Sequence, residues 1–161
     1  MDQSSSAASS KISPEPDIHR EINNRQQEII DDFAMFSDWS ERYQYLIDLG
    51  KKIRDFPEQF RNAEHLLKGC QSQVFIATQV HDQRLKIHAI SDSSIVSGLI
   101  ALALQVFDEQ SCAAIASAEV RFIDGIGLGS NLSMSRKNGL NALIARIKHD
   151  AALGATETTA A

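Results

Sequence analysis

Residues 71–90, QSQVFIATQVHDQRLKIHAI, decide the fold. Val74, Ile76, Thr78 and Val80 alternate with Phe75, Ala77 and Gln79, the period of two that sends successive side chains to opposite faces of a strand. After the polar HDQR, the run LKIHAI alternates again, so the stretch predicts a β-hairpin. Helical patterns flank it on both sides. The order helices, strands, helices predicts an α+β domain in which helices pack on a small antiparallel sheet.

Upstream, Ile22, Ile29, Ile30, Phe33 and Phe36 fall on one helical face. A second helix is expected over SDWSERYQYLIDLGKKI, with Asp38 as N-cap, Glu41 three residues on, and Trp39, Tyr43, Leu46, Ile47 and Ile53 as its apolar stripe. RDFPEQFRNAEH breaks the period at Pro57 and reads as a loop. HLLK at 65–68 reads as a short third strand, which places Cys70 in a loop between strands. Downstream, SDSSIVSGLIALALQVFDEQ starts at a Ser/Asp cap and is apolar nearly all round, the mark of a covered helix. SCAAIASAE reads as a short further helix. The last helix is expected from about Ser135, with Leu140, Leu143, Ile144 and Ile147 on one face. Residues 1–20, rich in Ser and Ala with two prolines, read as a disordered tail, 21–152 as the domain, and 153–161 as a frayed end.

Composition narrows the function. The net charge is −5 and the 16 Lys and Arg are scattered, which argues against holding a nucleic-acid backbone. The longest apolar run, Ile95 to Phe107, is shorter than the roughly 20 residues that span a bilayer. No basic region followed by an apolar core opens the sequence, so a reducing, cytoplasmic setting is expected; Asp2, Glu15 and Asp17 argue against a plastid or mitochondrial transit peptide. The two cysteines, Cys70 and Cys112, are then expected as thiols rather than a bridge.

Cys70 is the sharpest chemical candidate. A working thiol needs thiolate character and access; Lys68 offers positive charge, and Gly69 permits a left-handed turn that leaves the sulfur unshielded on one side. A buried structural cysteine is the competing reading. Cys112, among small apolar residues, reads as core, with a resolving thiol for Cys70 as its functional alternative. His19, His65, His81, His88 and His149 show no metal-binding spacing, and two distant cysteines cannot supply the four thiolates of an iron-sulfur cluster. Arg136 and Lys137 stand at the start of the last helix, where the macrodipole disfavours a cation; they are either solvated side chains or an anion-recognising, partner-facing corner.

Four segments in order, WSERYQYLIDLG (39–50), GCQSQV (69–74), SDSSIVSGLIAL (91–102) and LSMSRKNGLNALI (132–144), resemble the SufE family of sulfur-acceptor proteins across roughly residues 25–150. The resemblance implies the α+β fold shared with IscU-type scaffolds. It also implies that Cys70 accepts persulfide sulfur from a SufS-type cysteine desulfurase, speeds that enzyme's turnover, and passes the sulfur to a SufBCD-type iron-sulfur scaffold. Carried over residue by residue, Cys70 is the nucleophile, with Gly69, Gln71, Asp92 and Arg136 as active-site or partner-binding support. The chain would be a covalent carrier without a cofactor of its own, pyridoxal phosphate belonging to the desulfurase. Similar proteins carry His and Pro where NLSMSR has Asn131 and Met134. Two other functions compete: a self-contained thiol enzyme using Cys70 with His65 or His88 as base, and a metal or iron-sulfur scaffold.

Overall fold

The hairpin forms where the alternation places it. In the computed structural model, which describes residues 17–160 with side chains through Thr156, β1 (Val74–His81) pairs antiparallel with β2 (Arg84–Ser91) in a register running from Val74 opposite Ser91 to His81 opposite Arg84. Asp82 and Gln83 both adopt positive φ, 51° and 65°, as a two-residue hairpin turn requires. One face of the hairpin, with Val74, Ile76, Leu85, Ile87 and Ala89, enters the main core. The other carries Phe75, Ala77 and Ile90 beneath Phe56 and Phe60. The segment expected as a loop at 54–65 is thus a strap with two 3-10 turns, Glu58–Phe60 and Ala63–His65, that covers the sheet's outer face.

Seven α-helices and a three-stranded sheet make up the described residues, an α+β architecture. Before the hairpin come α1 (Arg20–Ala34) and α2 (Trp39–Gly50). Asp38 caps α2 as expected, its carboxylate accepting from the Glu41 N–H at 2.9 Å. Phe36 and Ile53 fall just outside these helices, although both still pack: Phe36 against Tyr45, and Ile53 against the core. After the hairpin, α3 (Ser94–Phe107) runs through the centre, with Leu99, Ile100, Leu102, Ala103, Val106 and Phe107 all buried. Then follow β3 (Gln110–Ser111), α4 (Cys112–Ser117), α5 (Phe122–Gly125), α6 (Leu128–Asn131) and α7 (Met134–Ala160).

The third strand is therefore not HLLK. That segment contributes a single bridge, Leu66 to Phe75, and a Leu67 N–H bond to the Val74 carbonyl at 2.8 Å, before Gly69 turns the chain away at φ +93°. β3 instead pairs with Arg84 and Leu85 of β2, delivered by a turn with Glu109 at φ 62°. Beyond β3, the edge of β2 is closed by side chains: Asp108 accepts from the Ile87 N–H at 2.8 Å, and Arg54 donates to the Ile87 carbonyl at 2.8 Å while pairing with Asp108 at 2.9 Å. An edge filled in this way offers no template to another strand.

Of the expected tails, residues 1–16 lie outside the described residues. Within 17–20 the chain is already engaged, His19 bonding the Ser117 hydroxyl at 2.8 Å and Arg20 opening α1. At the other end the helix does not stop near Gly154. It runs on to Ala160, with Ala151 and Gly154 buried. A Cβ at Gly154 would stand 2.8 Å from Val80 Cγ2 and 2.9 Å from Cys112 Sγ, so the glycine lets α7 press against the hairpin and continue.

Candidate functional site

Cys70 belongs to the loop between the strap and β1, and the loop lies along the first turns of α7. Gly69, in the left-handed conformation, sits over Ala142, and the Cys70 thiol donates to the carbonyl of Gly139 at 3.6 Å. The sulfur faces a cavity of about 300 Å³ between this loop, α3 and α7. Its floor is apolar, with Leu67, Val74, Leu99, Ile100, Leu140 and Leu143; its rim is polar, with Gln71, Ser72, Ser133, Ser135 and Arg136. Cys70 is half-buried, and that desolvation pushes its thiol pKa up, because a thiolate loses more hydration than a thiol.

Arg136 occupies the first turn of α7. Its backbone N–H is capped by the Ser133 hydroxyl at 3.3 Å, while the exposed guanidinium has no ion-pair or hydrogen-bond partner among the described residues. No acidic side chain among the described residues lines the cavity. An unpaired cation at the positive end of a 27-residue helix makes the rim a place that favours an anion.

The turn that leads into α7 is braced from α2. The Tyr43 hydroxyl donates to the Asn131 carbonyl, and the Asn131 amide donates to the Gly127 carbonyl at 2.8 Å. Trp39 packs against Tyr43 with the rings inclined at 55° and centroids 5.4 Å apart, under the Arg42 guanidinium at 5.2 Å. Arg42 itself bonds the carbonyls of Phe36 and Ile126.

Of the residues singled out from the sequence, Cys70, Gln71 and Arg136 share this cavity and Gly69 is the turn that presents the thiol. Asp92 stands apart, exposed before α3 in a separate groove with Lys51, Ser91 and Ser97, and the capping of α3 falls to Ser93. No histidine among the described residues lines the cavity. His65 bonds Asn62 at 2.9 Å and packs against the Phe60 ring, whereas His88 lies on β2, its pKa lowered chiefly by burial and then by Arg54 and Lys86. A thiol enzyme built on either histidine therefore lacks its base at the sulfur. Cys112 is buried at the start of α4 against Gly154. Gly139 and Gly154 are fifteen residues apart on one helix, about 22 Å at the α-helical rise, so the two sulfurs they meet are too distant for a resolving role. No group of three His, Cys, Asp or Glu side chains among the described residues is placed to hold a metal ion.

The helical period gives no reason to single out Gly139, Ala142 or Tyr43. Tyr43 reads as core stripe, and only its hydroxyl hints at a bond elsewhere; the one signal for Gly139 is its being glycine inside a helical run, which costs helix stability without saying what approaches it.

Fold and site together define an α+β thiol protein with one cysteine on a loop over a small cavity. Residues 27–151 match the family described as SufE: Fe-S metabolism associated domain. An uncharacterised SufE-like protein of Rhizobium meliloti (strain 1021) is 40% identical over 129 residues, 77% of this chain and 92% of that one. A SufE-like protein of Rhizobium etli is 36% identical over 129 residues, 77% and 87% of the two chains. The solution structure of a hypothetical protein from Thermus thermophilus superposes with a TM-score of 0.69, covering 82% of this chain and 96% of that chain at 18% identity, a likeness of fold. The chain belongs to the SufE family, and so to iron-sulfur metabolism. No helix among the described residues is long and apolar enough to cross a membrane.

Proposed function

We propose that this protein is a covalent sulfur carrier: Cys70 takes sulfur from the persulfide of a SufS-type cysteine desulfurase and hands it to an iron-sulfur scaffold of the SufBCD type. The observation that carries the reading is Cys70 itself, the cysteine that lines the cavity, on a glycine-turned loop with Arg136 at the rim. In the transfer the Cys70 thiolate attacks the terminal sulfur of the donor persulfide. A bond forms between Cys70 Sγ and that sulfur, the donor's S–S bond breaks, and the donor cysteine leaves as a thiolate that takes up the proton Cys70 gave away. The count of oxidised sulfur is unchanged, so no oxidant or cofactor of its own is needed.

The raised pKa of the resting thiol lowers its thiolate fraction, and the positive charge of Arg136, with Lys68 on the loop, favours the thiolate once the sulfur leaves its apolar floor. The same cation suits the persulfide anion after transfer. Removing the donor's persulfide frees the desulfurase for its next cysteine, so the carrier also acts as an activator. The test is a titration of desulfurase activity with wild type and Cys70→Ser: wild type raises turnover to a plateau and Cys70→Ser leaves it at the basal rate. Equal stimulation by both would remove the carrier role from Cys70.

A further inference from the structure

Gly139 has no backbone reason to be glycine. It lies inside α7, its φ is not positive, and glycine weakens a helix interior relative to alanine. The space where its Cβ would stand is met by one residue: Cys70 Sγ at 3.2 Å and Cys70 Cβ at 3.8 Å. At 3.2 Å a Cβ and the present sulfur position do not both fit comfortably. One helical turn on, a Cβ at Gly69 would stand 3.5 Å from the Ala142 Cβ, so the loop lies along two small residues of the same face.

The backbone at this position is also the thiol's hydrogen-bond partner. The Gly139 carbonyl accepts from the Cys70 S–H, an interaction open to a protonated sulfur and closed to a thiolate, which has no proton to give and would face a carbonyl lone pair. The missing side chain and the carbonyl therefore act together on the same sulfur.

From this geometry we infer that Gly139 is a positioning residue: it is the seat that holds Cys70 in its half-buried, protonated state, and a side chain at this position pushes the sulfur off that seat toward the open side of the cavity. The inference rests on reading Cys70 as the working thiol, but its test uses iodoacetamide and no protein partner, so the two can fail separately.

The experiment follows iodoacetamide alkylation of Cys70 in the full chain as a function of pH, in wild type and Gly139→Ala, with the modified cysteine identified by peptide mass spectrometry. Wild type reacts slowly, with a midpoint above that of free cysteine. Gly139→Ala reacts severalfold faster at neutral pH, with its midpoint shifted down toward free cysteine. A thermal-unfolding cycle with Cys70→Ala guards against a general loss of structure. Gly139→Ala raises Tm more when combined with Cys70→Ala than when made alone, because in the double variant the new Cβ meets no sulfur. An unchanged rate and midpoint, or a Tm effect of Gly139→Ala that is the same with and without Cys70→Ala, would overturn the seat.

Discussion

Two cysteines meet two glycines on the same helix, to different ends. Near its start, α7 offers Gly139 to Cys70; near its end it offers Gly154 to Cys112. The second contact is sealed: Cys112 is 1% exposed, and a Cβ at Gly154 would collide with Val80 as well as the sulfur. The first is open on one side, with a cavity of about 300 Å³, a left-handed glycine in the loop and an arginine at the rim that has no partner among the described residues. A glycine in a helix can thus serve packing at one end and hold a working side chain at the other. What separates them is whether the cysteine's own segment is tied down. Cys112 is anchored by its N–H bond to the Gln83 carbonyl at 2.8 Å and by the start of α4, whereas Cys70 sits on the loop between Gly69 and β1, held to α7 through its thiol's bond to the Gly139 carbonyl.

The sharpest break of this comparison is substitution of the sulfurs themselves. Cys70→Ser is expected to abolish sulfur uptake and desulfurase stimulation with a folded, cooperative unfolding transition, while Cys112→Ser retains uptake and loses stability, by about 1–3 kcal/mol, because a smaller, more polar group replaces a sulfur packed in the core. Urea unfolding beside the activity titration reads both. Next comes the helix: Gly154→Ala should destabilise by about 1–3 kcal/mol, overpacking against Val80 and Cys112 outweighing the gain in helix propensity. Arg136→Ala, which leaves the thiol seated but removes the cation from the rim, should slow transfer by roughly tenfold, in line with loss of about 1.4 kcal/mol of favourable charge, with little change in Tm.

Tyr43→Phe removes the bond to the Asn131 carbonyl and should cost about 1–2 kcal/mol of stability, with a smaller effect on transfer than Arg136→Ala because the turn shifts without losing its cation. The smallest effect is alkaline. Burial holds Cys70 protonated to a higher pH in the folded chain than in the unfolded one, so the unfolded chain loses its proton first. The contribution is fully present below the ordinary thiol pKa and is lost as pH rises through the folded value. The stability of wild type relative to Cys70→Ala should therefore decline from the ordinary thiol pKa up to the raised folded value and level off beyond it, as measured by urea unfolding across the alkaline range.

Much of the architecture is local and can be read locally. Alternation places the hairpin and its inner face, and Asp38 with Glu41 marks the start of α2, because each depends on residues a few positions apart. The thiol's loop is legible for the same reason: Gly69 adjoins Cys70. What stays hidden is long-range or conformational. β3 is two residues long and depends on positive φ at Glu109, and HLLK has strand composition but is turned away after one bridge. Tyr43 reaches a carbonyl 88 residues on, and Gly139 lies 69 residues from the thiol it seats. Asp92 sits in a recognisable motif, yet the chain carries it to a different groove from Cys70. The run past Gly154 reads as an end because glycine and threonine disfavour helix, whereas packing on Val80 carries the helix through.

The most direct measurement is peptide mass spectrometry of the protein after incubation with a SufS-type desulfurase and L-cysteine, with free persulfides trapped by alkylation. A carrier built as described gains the mass of one sulfur atom on the Cys70 peptide and none on the Cys112 peptide. An unmodified Cys70 beside an active desulfurase, or sulfur found on Cys112, would contradict it.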